Sequence, residues 1–286
     1  MRVLVAANIT PFLHGGADYH ILGLTEALRR AGHQAELVRL PFMAQPQREV
    51  HKLMAFCEEL NLACPNGQSI DCMVSLQFPA FGLQHPNHVA WVMHQHREVY
   101  ELYDDAKASP EQRQLREAVV AYDNRVLERT QKRFANSYRV AERLKQFNGL
   151  DAEALYHPPA GVEHFYCREA EPYVFFPSRF ETLKRQHLLI EAARVMKSPL
   201  RVFLAGQGSH LPHCQRLVEQ YGLQDKVRFL GRISEAEKFA FYAHAQAVFF
   251  GPYDEDYGYI TLEAMLSSKP VITCQDSGGP LEFVLP

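Results

Sequence analysis

Residues 2–40 read RVLVAANITPFLHGGADYHILGLTEALRRAGHQAELVRL, and this stretch decides the fold. RVLVAAN (2–8) and AELVRL (35–40) are strand-like patterns of strand length. Between them ADYHILGLTEALRRAG spaces its apolar residues at helical period and ends at Gly32 after two arginines, a helix C-terminus in residue type and charge. DCMVSL (71–76), HVAWVMH (88–94) and RFANS followed by AERLKQFNG continue the alternation. A parallel sheet covered on both faces by helices is the expected result.

The pattern breaks at 157–172, HPPAGVEHFYCREAEP, where proline and turn formers accumulate, and a second series then begins. YVFFPS, LRVFLAG, KVRFLG, AVFFGP and PVITC are five short β-rich runs, separated by helical patterns at LKRQHLLIEAARVM, LPHCQRLVEQYG, EAEKFAFYAHA and YITLEAMLSS. The reading is α/β with two Rossmann-like domains facing each other across a cleft, residues 1–160 and 161–286. Ligands of such sheets bind beyond the carboxyl ends of the strands.

Composition narrows the function classes. With 47% hydrophobic and 22% charged residues the chain of 286 is an ordinary globular one. A formal charge of −3 gives no field that would recruit nucleic acid, and no run approaches the length of a membrane span. MRVLVAANI enters a strand directly, without the pattern of a signal peptide, so a cytoplasmic protein is expected. Six cysteines are scattered without C-x-x-C spacing, which disfavours zinc and redox pairs, and of fourteen histidines only HQH at 94–96 is clustered. No metal site is expected.

Four strand-end segments carry candidate chemistry. YDEDYGYITLEAML (253–266) places Glu255 ahead of a helix that starts near Gly258 and Glu263 inside it. Unpaired N–H groups at a helix start carry about half a positive charge and suit a phosphate or hydroxyl, and Gly258 admits close approach of a ligand. The two acids are spaced to span an elongated ligand rather than to form an acid/base dyad. The plain alternative is an acidic first turn that stabilises its own helix, plus a solvated glutamate. SRFETLKRQ (178–186) sets Arg179 at a strand end and Lys184 at the opening of the next helix, a planar fork and a point charge able to neutralise a diphosphate, or simply two surface cations. GGAD (15–18) and GQG (206–208) are glycine turns without the dinucleotide or P-loop signature. His94 and His96 end a strand, where a packed or solvated histidine is the commoner outcome. The Arg/Lys-rich stretch 112–145 reads as a solvated helix face, with an anionic acceptor or a membrane surface as the functional option.

Taken together, EDYGYITLE, SRFETLKRQ, GGAD and VMHQHREVY resemble the corresponding segments of the retaining GT-B glycosyltransferases of group 1 (family 4). The resemblance implies a hexosyl transfer from a nucleotide-diphosphate sugar, such as a UDP- or GDP-sugar, to an acceptor hydroxyl in glycan, polysaccharide or glycolipid synthesis, without a metal. It implies that Arg179 and Lys184 hold the diphosphate, that Glu255 faces the transferred sugar with Asp256, Tyr257, Gly258 and Tyr259 around it, and that Glu263 binds the ribose. Gly15 and Gly16 would approach the diphosphate, His94 would act beside the donor sugar, and Gly208, Arg232 and Ile233 would lie near the nucleoside. Acceptors are expected among sugars, lipid-linked sugars and small molecules, and the reading leaves room for peripheral contact at the inner face of the membrane. Asp18 and Tyr257 depart mildly from the family's usual residues. The family normally continues past DSGGPLEFVLP, so the resemblance also implies a shortened second domain, with a homodimer as one way to cover it. The alternative function is a non-catalytic sugar-nucleotide-binding module. An epimerase or dehydrogenase is disfavoured, because G-x-G-x-x-G with a later ribose-binding acid is absent.

Overall fold

The computed structural model describes residues 1–12 and 15–285. The chain divides into two compact units, Met1–His157 and Pro158–Pro286, with the division at the start of the proline-rich stretch.

In the first unit the opening strand is β1 (Arg2–Ile9), followed by α1 (Gly16–Arg30), β2 (Gln34–Pro41), α2 (Gln47–Glu59), β3 (Cys72–Ser75) and β4 (His88–Val92). The unit continues through α3 (Pro110–Glu128), β5 (Lys132–Ala135), α4 (Tyr138–Asn148) and the short β6 (Glu153–Ala154). All six strands are parallel, in the order β2-β1-β3-β4-β5-β6. This is a doubly wound sheet whose order reverses between β1 and β3. The central run Val3–Ala7 is almost wholly buried, as a strand covered on both faces must be. The basic stretch runs through α3, β5 and α4. Ser109 and Gln112 form a reciprocal cap with Pro110 at the first turn of α3, and Gly149 at φ +70 ends α4.

The second unit contains β7 (Tyr173–Pro177), α5 (Gln186–Val195), β8 (Arg201–Ala205), α6 (Leu211–Gln220), β9 (Val227–Gly231), α7 (Glu235–His244), β10 (Ala247–Phe249), α8 (Tyr259–Leu266) and β11 (Val271–Ile272). Its five parallel strands run β11-β10-β7-β8-β9, the Rossmann order, with the reversal between β7 and β10. Aromatic residues fill both faces of this sheet. Phe176, Phe180, Phe249 and Phe250 pack on one side, and Tyr173, Phe175, Phe203 and Tyr242 on the other.

One expected boundary is corrected. Lys184 does not open α5, but closes a single 3-10 turn, Thr182–Lys184, and the helix begins at Gln186. Between them Arg185 sits at φ +53, a left-handed conformation that breaks the helical path.

Candidate functional site

The loops that follow β7 and β10 flank the reversal of strand order in the second unit, where an open α/β sheet leaves a crevice. They are tied to each other. Lys184 Nζ, from the first loop, donates to both carboxylate oxygens of Glu255, from the second, at 2.6 and 2.7 Å, and the two side chains are only 18% and 17% exposed. The ammonium also lies 5.6 Å from the Phe250 ring centre. Arg179, on the loop after β7, is exposed, and among the described residues no acid pairs with it. Its carbonyl is held at 2.7 Å by the amide of Gln186, a fully buried side chain.

Sequence reasoning missed the clamp that fixes these loops. Arg185 donates to the carbonyls of Gly251 and Pro252, each at 2.8 Å, and grips Asp276 with both terminal nitrogens at 2.8 and 2.6 Å. Tyr253 N–H donates to Leu183 O at 2.8 Å, a backbone bond across the same junction. The segment Ser277–Gly279 holds the other side of the Glu255 loop. Glu255 N–H donates to Ser277 O at 2.9 Å, and Glu255 O accepts from Gly279 N–H at 2.8 Å. A Cβ on Gly278, at φ +73, would stand 2.6 Å from Glu255 O and 2.8 Å from its N, so no side chain fits there. The paired glycines of DSGGP were the available signal, whereas nothing in the sequence marks Arg185 as left-handed.

Gly258, at φ +92, precedes the first turn of α8, and a Cβ there would meet Pro280 at 2.7 Å. Among the described residues α8 has no side-chain N-cap and no acid in its first turn, and the Glu255 carboxylate lies on Lys184 instead. The plain reading of an acidic turn serving its own helix is therefore not what forms. Tyr257 is buried, edge-on to Tyr259 at 5.2 Å and to Phe283 at 5.6 Å. The Asp256 backbone passes close against Gly279, where a Cβ would stand 2.7 Å from Asp256 O.

Glu263 is buried too, at 4% exposure, and accepts from Tyr242 Oη at 2.6 Å, with Lys238 Nζ at 3.4 Å. Each of the two acids thus has its own ammonium, and they do not form a dyad. The loop after β8 carries Gly206 and Gly208 at φ +132 and +156, with Phe180 O only 2.2 Å from where a Gly208 Cβ would lie. Phe180 N–H donates to Gln207 O and Gly206 N–H to Gly231 O, which links the ends of β7, β8 and β9. Arg232 follows β9 and is exposed, and Ile233 is half-buried against the cluster that contains Tyr173 and Phe203.

Gly15, Gly16 and His94 belong to the first unit. Gly15 N–H donates to its own helix's Asp18 at 3.2 Å, and Asp18 pairs with Arg39 at 3.0 Å, so the start of α1 already carries a carboxylate. Gly16 is the first residue of α1. His94 donates from Nδ1 to Gln95 O at 2.8 Å. His96 is stacked on Phe78 at 5.3 Å, and burial holds its pKa below the ordinary value.

Two parallel doubly wound units in one chain, with cation and acid converging at the switch point of the second, define a GT-B-fold protein. The family model for glycosyl transferases group 1 matches residues 166–286, nearly the whole second unit. The chain is 31% identical over 113 residues to a D-inositol 3-phosphate glycosyltransferase of Corynebacterium urealyticum, covering 36% of this chain and 27% of the relative. It is 26% identical over 133 residues to O-antigen chain mannosyltransferase C of Escherichia coli, covering 46% and 35%. The chain thus spans about a third or less of these relatives' length. Anabaena Alr3699/HepE, solved with UDP and glucose, shares the fold at TM-score 0.66 and 17% identity over 99% of this chain and 83% of its own. Sucrose-phosphate synthase of Thermosynechococcus elongatus does so at TM-score 0.71 and 18% identity, again over 99% and 83%. Among the described residues no helix is long and apolar enough to cross a membrane.

Proposed function

We propose that the protein transfers a hexosyl group from a nucleoside-diphosphate sugar to an acceptor hydroxyl in glycan synthesis, with retention of anomeric configuration. The observation that carries this reading is the meeting of Lys184 and Glu255 at the β7/β10 switch point, in the loop that leads into α8. Arg179 and Lys184 would neutralise the diphosphate, with the N–H groups at the start of α8 adding partial positive charge. Glu255 would accept hydrogen bonds from hydroxyls of the transferred sugar, with Tyr257, Gly258 and Tyr259 around it. Glu263, held by Lys238 and Tyr242, would accept from the ribose, and Gly208 and Arg232 would lie near the nucleoside.

In this reading the bond from the anomeric carbon to the diphosphate oxygen breaks as the acceptor oxygen bonds to the same face, and the acceptor proton passes to the leaving phosphate. The charge that develops on the diphosphate meets two cations and a helix start, so the step requires no bound metal. UDP and GDP sugars are the first donors to try, the former because the HepE structure holds UDP. The first unit would supply the acceptor side, with His94 beside the donor sugar.

The test is nucleotide release from a panel of UDP-, GDP- and ADP-sugars with mixed acceptors. Transfer or slow hydrolysis of at least one donor is expected, and Lys184→Ala should lower kcat/KM by about a hundredfold or more. Nucleotide binding with neither transfer nor hydrolysis would instead favour a sugar-nucleotide-binding module, and no binding at all would refute both.

A further inference from the structure

The two side chains assigned to opposite parts of the donor are bound to each other. Lys184, the diphosphate cation of the reading above, spends two of its N–H groups on Glu255, the sugar-binding acid of the same reading. An ammonium neutralised by a carboxylate at 2.6 Å offers an incoming anion little net charge. We propose that Glu255 is a resident stand-in for the donor's diphosphate, and that donor binding exchanges it: phosphate oxygens take over Lys184, and the released carboxylate turns to the transferred sugar.

The geometry confines this exchange to the side chains. Glu255's backbone is bonded on both sides, to Ser277 and Gly279, and Gly278 leaves no room for it to shift. Lys184 N–H is bonded to Glu181 O at 2.9 Å, and the next residue, Arg185, is clamped to Gly251, Pro252 and Asp276. With both backbones held, the lysine's four side-chain torsions and the glutamate's three are what can change. Arg179, exposed and with no acid paired to it among the described residues, meets the anion first, and Lys184 is handed over second. The exchange ties donor capture to the sugar end of the ligand, because the carboxylate becomes available only when the diphosphate has arrived.

The inference rests on the donor reading but makes a prediction of opposite sign to a purely structural role for the pair. If Glu255 merely positions Lys184, its removal loosens nucleotide binding. If it competes with the diphosphate, its removal tightens binding. Calorimetric titration of the full chain with UDP, GDP, ADP and inorganic diphosphate should therefore show Glu255→Gln and Glu255→Ala binding the preferred nucleoside diphosphate about three- to tenfold more tightly than the parent, while turnover of the sugar nucleotide falls. In a Lys184→Met background the same substitutions should change affinity by less than about twofold. Thermal unfolding identifies which variants are folded, and either Glu255 variant suffices. A parent that binds none of the four probes removes the donor reading, and this inference with it. A parent that binds, with Glu255 variants of equal or weaker affinity, overturns the exchange alone. So does tightening that persists without Lys184, which would be a general effect of lowering the negative charge.

Discussion

At the scale of single residues, the chain commits buried charge where it fixes loops and where it could titrate. Arg185 makes four hydrogen bonds through one guanidinium, two of them to carbonyls of the loop after β10. Arg185→Ala should cost about 2 kcal/mol in urea unfolding, and Arg185→Lys should recover only part of it, because an ammonium cannot reproduce the planar fork. Asp123 presents a different case. It is fully buried on α3, and burial pushes its carboxyl from 3.8 up to about 7, although the 2.8 Å bond from Tyr100 Oη acts in the opposite direction. A folded-state pKa above the unfolded one means that the native protein holds a proton the unfolded chain has released. Stability is therefore greatest below about pH 4 as far as this group is concerned, and is lost as pH rises through 7. Asp123→Asn keeps an acceptor for Tyr100 and removes the titration, so urea midpoints of the variant and parent should converge below about pH 4 and separate progressively toward pH 8 in the variant's favour. Equal midpoints at both would contradict the assignment.

At the scale of elements, short glycine turns set the precision of the site. Gly278 holds the Glu255 loop by leaving space for backbone contact, and its positive φ would strain any other residue. Gly278→Ala should destabilise the protein by about 2–4 kcal/mol and lower turnover of the sugar nucleotide more than a core substitution of similar cost, since the displaced atoms are Glu255's own backbone. Comparing thermal unfolding with turnover for the two kinds of variant checks this. The helix starts show how local sequence decides local structure. Ser109 with Gln112 and Ser234 with Glu237 are self-capped, while α8 begins at a glycine with no cap among the described residues. The strand and helix periodicity of both units was legible because apolar spacing alone dictates which face is buried. The split of the Lys184 helix into a 3-10 turn and α5 was not, because a left-handed arginine has no sequence signature and is held only by the carbonyls and carboxylate it grips.

For the whole molecule, two cores in two units predict two unfolding events. Each sheet has its own buried aromatic and aliphatic clusters, and the segment after Pro158 is largely exposed and irregular as far as β7. Limited proteolysis should cut first between residues 160 and 171. In scanning calorimetry a nucleoside diphosphate at a hundred times its Kd should stabilise the second unit's transition by about 2.7 kcal/mol, because the phosphate ligands proposed above lie there. A transition of the first unit that rises instead would relocate the nucleotide site. The sequence by itself determined the alternation of strands and helices, the break near residue 157 and the candidate cations and acids, since periodicity, turn chemistry and residue type are local properties. Only the tertiary structure decided the strand order, and with it that the loops after β7 and β10 are neighbours across a switch point. Only the structure likewise joined Lys184 to Glu255, 71 positions apart, because the contact depends on which strands pair and not on any spacing along the chain.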